Sequence, residues 1–202
     1  MNKKLKRNFF TQPTLKVAKD LLGKYIIHKV GKEKIIGKIV ETEAYIGQCD
    51  KASHAYLPLH LRKAGCEGKK TKRNEAEYLI GGHIYIYLVY GMYWQLNIST
   101  YKEGKPECVL IRAIELIQKN LKNIQKLANG PGKLCRFLKI SGKHYGLDLC
   151  KSDKIWLEDG GEKIKPSQIM AAPRIGIDYA GPYWSKIKWR FYIKDNKFVS
   201  KI

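Results

Sequence analysis

The chain has 202 residues, enough for one domain with a full hydrophobic core and too few for two comfortable ones. Thirty-nine Lys and Arg against eighteen Asp and Glu leave a formal charge of +21, which points to a polyanionic partner, DNA or RNA first of all. Five cysteines without a CxxC pair argue against a disulfide framework, and the longest apolar stretch is too short and tyrosine-rich for a membrane span, so a reducing, intracellular location is expected.

In chain order, Thr11-Gln12-Pro13-Thr14 offers helix-starting chemistry, and Leu15, Ala18, Leu21 and Leu22 recur at helical spacing before Gly23, the expected C-cap. Strands are predicted over 24–30 and 34–45. Residues 56–82, centred on Lys69-Lys70-Thr71-Lys72-Arg73-Asn74, are basic and weakly periodic and read as a long surface loop. Strands over 84–89 and 94–100 then flank the tip Tyr90-Gly91-Met92-Tyr93. A strand over 107–114 leads to a basic amphipathic helix over about 116–128. Pro131 suits the first position of another helix, with Leu134, Phe137, Leu138 and Cys135 packing inward. Strands near 154–157, 169–177 and 188–193 finish the chain. No repeat or linker divides it, so a single α+β domain over 1–202 is the simplest architecture.

Two stretches carry chemistry. Val40-Glu41-Thr42-Glu43-Ala44-Tyr45-Ile46-Gly47 places carboxylates in a half-buried strand pattern, and alternation puts Glu41, Glu43 and Tyr45 on one side. An isolated strand glutamate usually faces solvent; two on one face resist joint ionisation. Tyr85, Tyr87 and Val89 share another strand face, which by itself is an ordinary aromatic ladder. Tyr90, before Gly91 at the strand end, is better placed to leave the core and wedge between stacked bases. Arg112 lies within the apolar Val109-Leu110-Ile111-Arg112-Ala113-Ile114, where a buried charge requires a carboxylate partner, Glu43 or Glu41 being natural choices. Cys49, His54, His60 and Cys66 match no structural zinc spacing, and neither a phosphate-binding loop nor the deaminase His-x-Glu with Pro-Cys-x-x-Cys is present.

Taken in order, Val-Glu-Thr-Glu-Ala-Tyr at 40–45, Ser53-His54, Thr71-Lys72-Arg73-Asn74, residues 87–99, residues 108–115, Gly130-Pro131-Gly132-Lys133-Leu134-Cys135, Arg174-Ile175-Gly176-Ile177 and Arg190-Phe191-Tyr192-Ile193 resemble the alkyladenine (3-methyladenine) DNA glycosylases of the mammalian type, found also in many bacteria. The resemblance spans about residues 9–195. It implies an α+β domain with a mostly antiparallel, curved sheet, flanking helices and a protruding hairpin that intercalates in DNA. It implies Glu43 as the general base on the attacking water, with Arg112 and the Ile175 carbonyl holding that water. Tyr45, His54 and Tyr87 would enclose the flipped base, and Asn97 would crowd the exocyclic amino group of normal guanine. Tyr90, with Met92 and Tyr93, would fill the gap in the duplex, and Arg73 would contact the DNA backbone. The implied activity is monofunctional release of 3-methyladenine, 7-methylguanine and, as further substrates, hypoxanthine and ethenoadenine. The implied partner is damaged double-stranded DNA, met by a monomer in the cytoplasm or nucleoid without metal or organic cofactor. The alternative reading is a non-catalytic nucleic-acid binder or lesion sensor using the same basic and aromatic surface.

Overall fold

The computed structural model describes residues 3–61, 68–117 and 123–201. Among these residues nine strands form one open sheet: β1 (Lys3–Lys4), β2 (Tyr25–Val30), β3 (Glu33–Ile46), β4 (Ile84–Val89), β5 (Tyr93–Ser99), β6 (Glu107–Leu116), β7 (Ile155–Asp159), β8 (Ile169–Ala172) and β9 (Arg190–Ile193). The spatial order is β1-β7-β2-β3-β6-β5-β4, and the β8–β9 pair joins through β3. Every strand pairing is antiparallel. Short helices α1 (Arg7–Phe10), α2 (Thr14–Asp20), α3 (Ile124–Leu127), α4 (Pro131–Phe137) and α5 (Pro182–Lys186) flank it, giving the α+β class expected.

The sheet centres on β3, whose alternating apolar residues are buried. One edge of β3 pairs with β2 and then with β9, while β6 runs along the other. The β3–β6 register slips twice. Ile39 opposes Ile114 but Glu41 opposes Ala113, leaving Val40 as the extra residue; Thr42 then opposes Ile111, leaving Arg112 as the extra residue on β6. Paired bulges of this kind kink both strands and re-aim side chains. Ile39, Val40, Ile111 and Ile114 are fully buried among Val17, Ala18 and Leu21 of the α2 region, so the core lies directly behind the bulge.

Several expectations need correction. Gly23 does take a positive φ of 82°, but its N–H bonds the Ile39 carbonyl at 2.8 Å, tying the chain to β3 instead of closing α2. The helix predicted over 116–128 is instead strand as far as Leu116 and helical only over Ile124–Leu127, with 118–122 outside the described residues. Pairing of Leu116 with Gly37 extends β6 because β3 is long enough to supply a partner. The strand predicted over 169–177 ends at Ala172, since Pro173 has no N–H for a ladder and Gly176 turns at φ 74°. Part of the supposed surface loop 56–82 is structural: Glu75–Tyr78 forms a 3-10 turn with Ala76, Glu77 and Tyr78 buried, while 62–67 lie outside the described residues. Helix α4 begins at Pro131 as expected, with Leu134 and Cys135 buried and Leu138 just beyond it.

Candidate active site

Antiparallel strands β4, β5 and β6, the end of β3 and the segment after β8 enclose a cavity of about 510 Å³, within the range that holds a small ligand. Tyr45, His54, Arg73, Tyr87, Tyr90, Asn97, Arg112 and Ile175 all line it. Eight residues singled out from sequence therefore converge on one site, although 130 positions separate the first from the last.

Glu43 is fully buried behind this wall and is held by three of its members. The Ile175 N–H donates to Oε1 at 2.8 Å, the Tyr45 hydroxyl donates to Oε2 at 2.9 Å, and Arg112 Nη1 lies 3.2 Å from Oε1. A carboxylate offers about four lone-pair positions. Three are occupied, and the remaining one lies on Oε2, beside the tyrosine. Ile175 meets Glu43 through its amide N–H, while its carbonyl is the group expected to hold the water. Burial pushes the Tyr45 hydroxyl pKa well up, with the Glu43 charge adding to it, so Tyr45 stays protonated and remains a donor.

Arg112 does find the expected partners. Its Nε lies 3.3 Å from Glu41 Oε1 while Nη1 reaches Glu43. Glu41 is held by two further groups, Arg190 Nη1 at 2.9 Å and the Ser200 N–H at 2.7 Å. The two glutamates differ in what holds them: Glu41 is tied to β9 and Ser200, whereas all three partners of Glu43, namely Tyr45, Arg112 and Ile175, line the cavity. The bulge at Arg112 lets its guanidinium reach both carboxylates.

The aromatic wall is braced by hydrogen bonds. His54 Nδ1 lies 2.5 Å from the Tyr85 hydroxyl, and its ring meets Tyr87 edge-on at 4.5 Å. Desolvation within the cavity, helped by the Arg73 charge, lowers the His54 pKa to about 4, so the imidazole is neutral at pH 7. Burial pushes the Tyr85 and Tyr87 hydroxyls strongly upward, so both remain donors. The Arg73 guanidinium sits 5.2 Å from the Tyr87 ring, exposed at the cavity mouth. Asn97 Nδ2 donates to the Gln95 carbonyl at 3.1 Å.

Beside the cavity, β4 and β5 end in a hairpin tip. Tyr90 and Gly91 both take positive φ, 52° and 66°, and the Met92 N–H bonds the Val89 carbonyl at 3.1 Å. That pattern suits a tight hairpin but strains a bulky residue at its first central position. Tyr90 is 86% exposed, Met92 64% and Tyr93 40%. Tyr90 lines the cavity rim, while Met92 and Tyr93 belong to the tip without lining the cavity.

Three features escaped the reading of the sequence. Arg174 forms a fully buried bidentate pair with Asp50, at 2.5 and 2.8 Å, and donates to the Ala44 carbonyl at 2.9 Å, fixing the turn after β3 to the segment that carries Ile175. Its guanidinium also lies 4.7 Å from the Tyr45 ring, bracing that tyrosine from behind. Glu77, buried in the 3-10 turn Glu75–Tyr78, and Tyr179 line the cavity too. Arg174 stood inside a recognised block and an apolar context, a signal like that of Arg112; Glu77 had no such signal in its basic surroundings.

Comparison with known proteins identifies the family. The family model described as methylpurine-DNA glycosylase matches residues 8–197. An inferred 3-methyladenine DNA glycosylase of Clostridium novyi is 44% identical over 215 aligned residues, covering 98% of this chain and 99% of the relative. Counterparts inferred to have the same activity in Alkaliphilus oremlandii and Borreliella burgdorferi are 41% and 43% identical, with at least 96% of this chain and 98% of each relative covered. With the match running through every strand that builds the cavity, the chain belongs to the methylpurine-DNA glycosylase family.

Proposed function

We propose that this protein is a monofunctional DNA glycosylase that removes alkylated purines from duplex DNA by hydrolysing the N-glycosidic bond. The observation that carries the reading is the buried Glu43 carboxylate, held by Tyr45, Ile175 and Arg112, which all line an aromatic cavity of about 510 Å³.

A base within a duplex must leave the stack before its sugar carbon can be attacked. Tyr90 at the exposed tip fills the gap left behind, with Met92 and Tyr93 beside it and Arg73 steadying the backbone near the cavity mouth. The extruded base lies between Tyr45 and Tyr87, against His54, and Asn97 disfavours the exocyclic amino group of an undamaged guanine. Alkylation at N3 or N7 makes the purine cationic, which weakens the glycosidic bond and strengthens stacking on electron-rich rings. Glu43 accepts a proton from water as that water attacks the sugar carbon, and its charge stabilises the cationic sugar in the transition state. Arg112 and Ile175 orient the carboxylate for this step. Among the described residues no lysine lines the cavity, which supports water as the nucleophile and release of the base without a strand-cutting step. 3-Methyladenine and 7-methylguanine are the proposed substrates, with hypoxanthine and ethenoadenine as neutral additional ones.

The test is incubation of the purified protein with methylated duplex DNA, followed by chromatography of the released bases and gel analysis of the strand. Free 3-methyladenine with abasic but uncut DNA is expected. Lesion-dependent binding without base release would instead support a lesion sensor.

A further inference from the structure

Glu77 is a buried carboxyl group that the reading above does not use. It is 2% exposed, sits in the 3-10 turn Glu75–Tyr78 and lines the same cavity as Tyr45, Tyr87 and Asn97. Its Oε1 accepts from the Cys108 thiol at 3.2 Å, whereas its Oε2 has no hydrogen-bond partner among the described residues. A buried polar atom left unpaired is costly, and in the wall of a cavity it offers a contact to a ligand. The Cys108 thiol also lies 3.8 Å from Asn97 Oδ1, so Glu77 and the proposed guanine-excluding residue share one end of the cavity.

We propose that Glu77 reads the charge of the extruded base, its Oε2 meeting an N-alkylated purinium and so favouring cationic over neutral purines. This inference rests on the base-pocket reading given above. Burial pushes the Glu77 pKa up to about 8, pulled back slightly by the Cys108 and Asn74 side chains and raised by the Asp50 charge. Without a cationic partner the group is therefore mostly a neutral acid near neutral pH, which spares the fold an unpaired buried charge. A cationic base entering the cavity favours the carboxylate, and the proton leaves to solvent. A neutral base has no such effect and meets only the acid. The groups facing Glu77 are Tyr85 and Tyr87 from β4, the Cys108 thiol from β6, Asp50 from the turn after β3 and the Tyr145 hydroxyl, with the Arg73 cation and the neutral His54 lining the same cavity and Asn97 on β5 uncharged. The tyrosines and thiol keep their protons across neutral pH, since burial raises each of them. Among the described residues none forms an ion pair with Glu77, so a bound cation would be its first opposite charge in contact.

The experiment measures the ratio of single-turnover release of 3-methyladenine from methylated duplex to release of hypoxanthine from a matched duplex. Wild type, Glu77→Gln and, as a control on a surface carboxylate, Glu162→Gln are compared, each with its melting temperature. An opposite charge in contact shifts a proton equilibrium by roughly one to three units, so the ratio is expected to fall at least about tenfold in Glu77→Gln and to hold in Glu162→Gln. In wild type the ratio should also rise with pH as Glu77 gives up its proton and level off once it is ionised, and in Glu77→Gln it should be flat. Should Glu77→Gln fail to fold, the wild-type pH profile alone decides. An unchanged ratio in a folded Glu77→Gln, or a flat wild-type profile, overturns the role of Glu77 while leaving the glycosylase reading intact. Absence of base release from either duplex by wild type overturns both.

Discussion

Arg112 Nη1 lies 3.2 Å from Glu43 Oε1, and this contact exists because Arg112 is the extra residue of a bulge in β6. The bulge removes Arg112 from the regular cross-strand row, so its guanidinium can span Glu41 and Glu43, both with no solvent exposure. Removing the arginine strands Glu43 with only the Ile175 amide and the Tyr45 hydroxyl. Arg112→Met is expected to lose about 3 kcal/mol of stability, because one partner of a buried charge cluster is missing. Urea denaturation checks this, and a loss under about 1 kcal/mol would mean that the pair carries little of the anchoring.

Tyr90 separates stability from activity. Its positive φ is strained for a tyrosine, yet 86% of it faces solvent, so little burial depends on it. Tyr90→Gly relieves the backbone strain and adds chain entropy to the unfolded state, two effects of similar size and opposite sign. The melting curve should therefore stay within about 1 kcal/mol of wild type. Excision from a fully paired duplex should drop at least about tenfold, and less so where the lesion sits in a mismatch that is already easy to open. Equal loss on both substrates would argue against a wedge.

His54 provides a pH signature. Its pKa in the folded protein, about 4, is below the ordinary 6.5 because the cavity desolvates it. The unfolded chain therefore takes up the proton first. The stabilisation from a neutral His54 is complete above pH 6.5 and is lost as pH falls toward 4. His54→Gln should flatten the fall in melting temperature across that window, and base release should show no inflection near pH 6.5 that disappears in this variant.

Much of the sheet was legible from alternation and turn residues, since β2, β3, β4, β5 and β9 begin and end within two residues of the predicted runs. The misreadings share a cause. Local pattern does not reveal how long a neighbouring strand is, so the pattern alone places Leu116 in a helix although Gly37 pairs with it. Similarly, the apolar run predicts a strand through Pro173 and Gly176, which instead turn the chain to bring Ile175 onto Glu43. Glu43, Tyr45 and Arg112 stood out because charge in an apolar strand demands a partner. Glu77 did not, because its burial comes from tertiary packing of a segment that looks like polar loop in isolation, and Arg174 meets its partner Asp50 only through the fold.

The most direct measurement is single-turnover base release from methylated duplex DNA by wild type and Glu43→Gln, with lesion binding measured in parallel. Glutamine keeps the size of the side chain and can still accept from Tyr45 or Ile175, but it cannot take a proton from water. Release should fall by about a hundredfold or more while lesion binding persists. Base release by Glu43→Gln at the wild-type rate would contradict the role given to this carboxylate, and with it the hydrolytic mechanism built upon it.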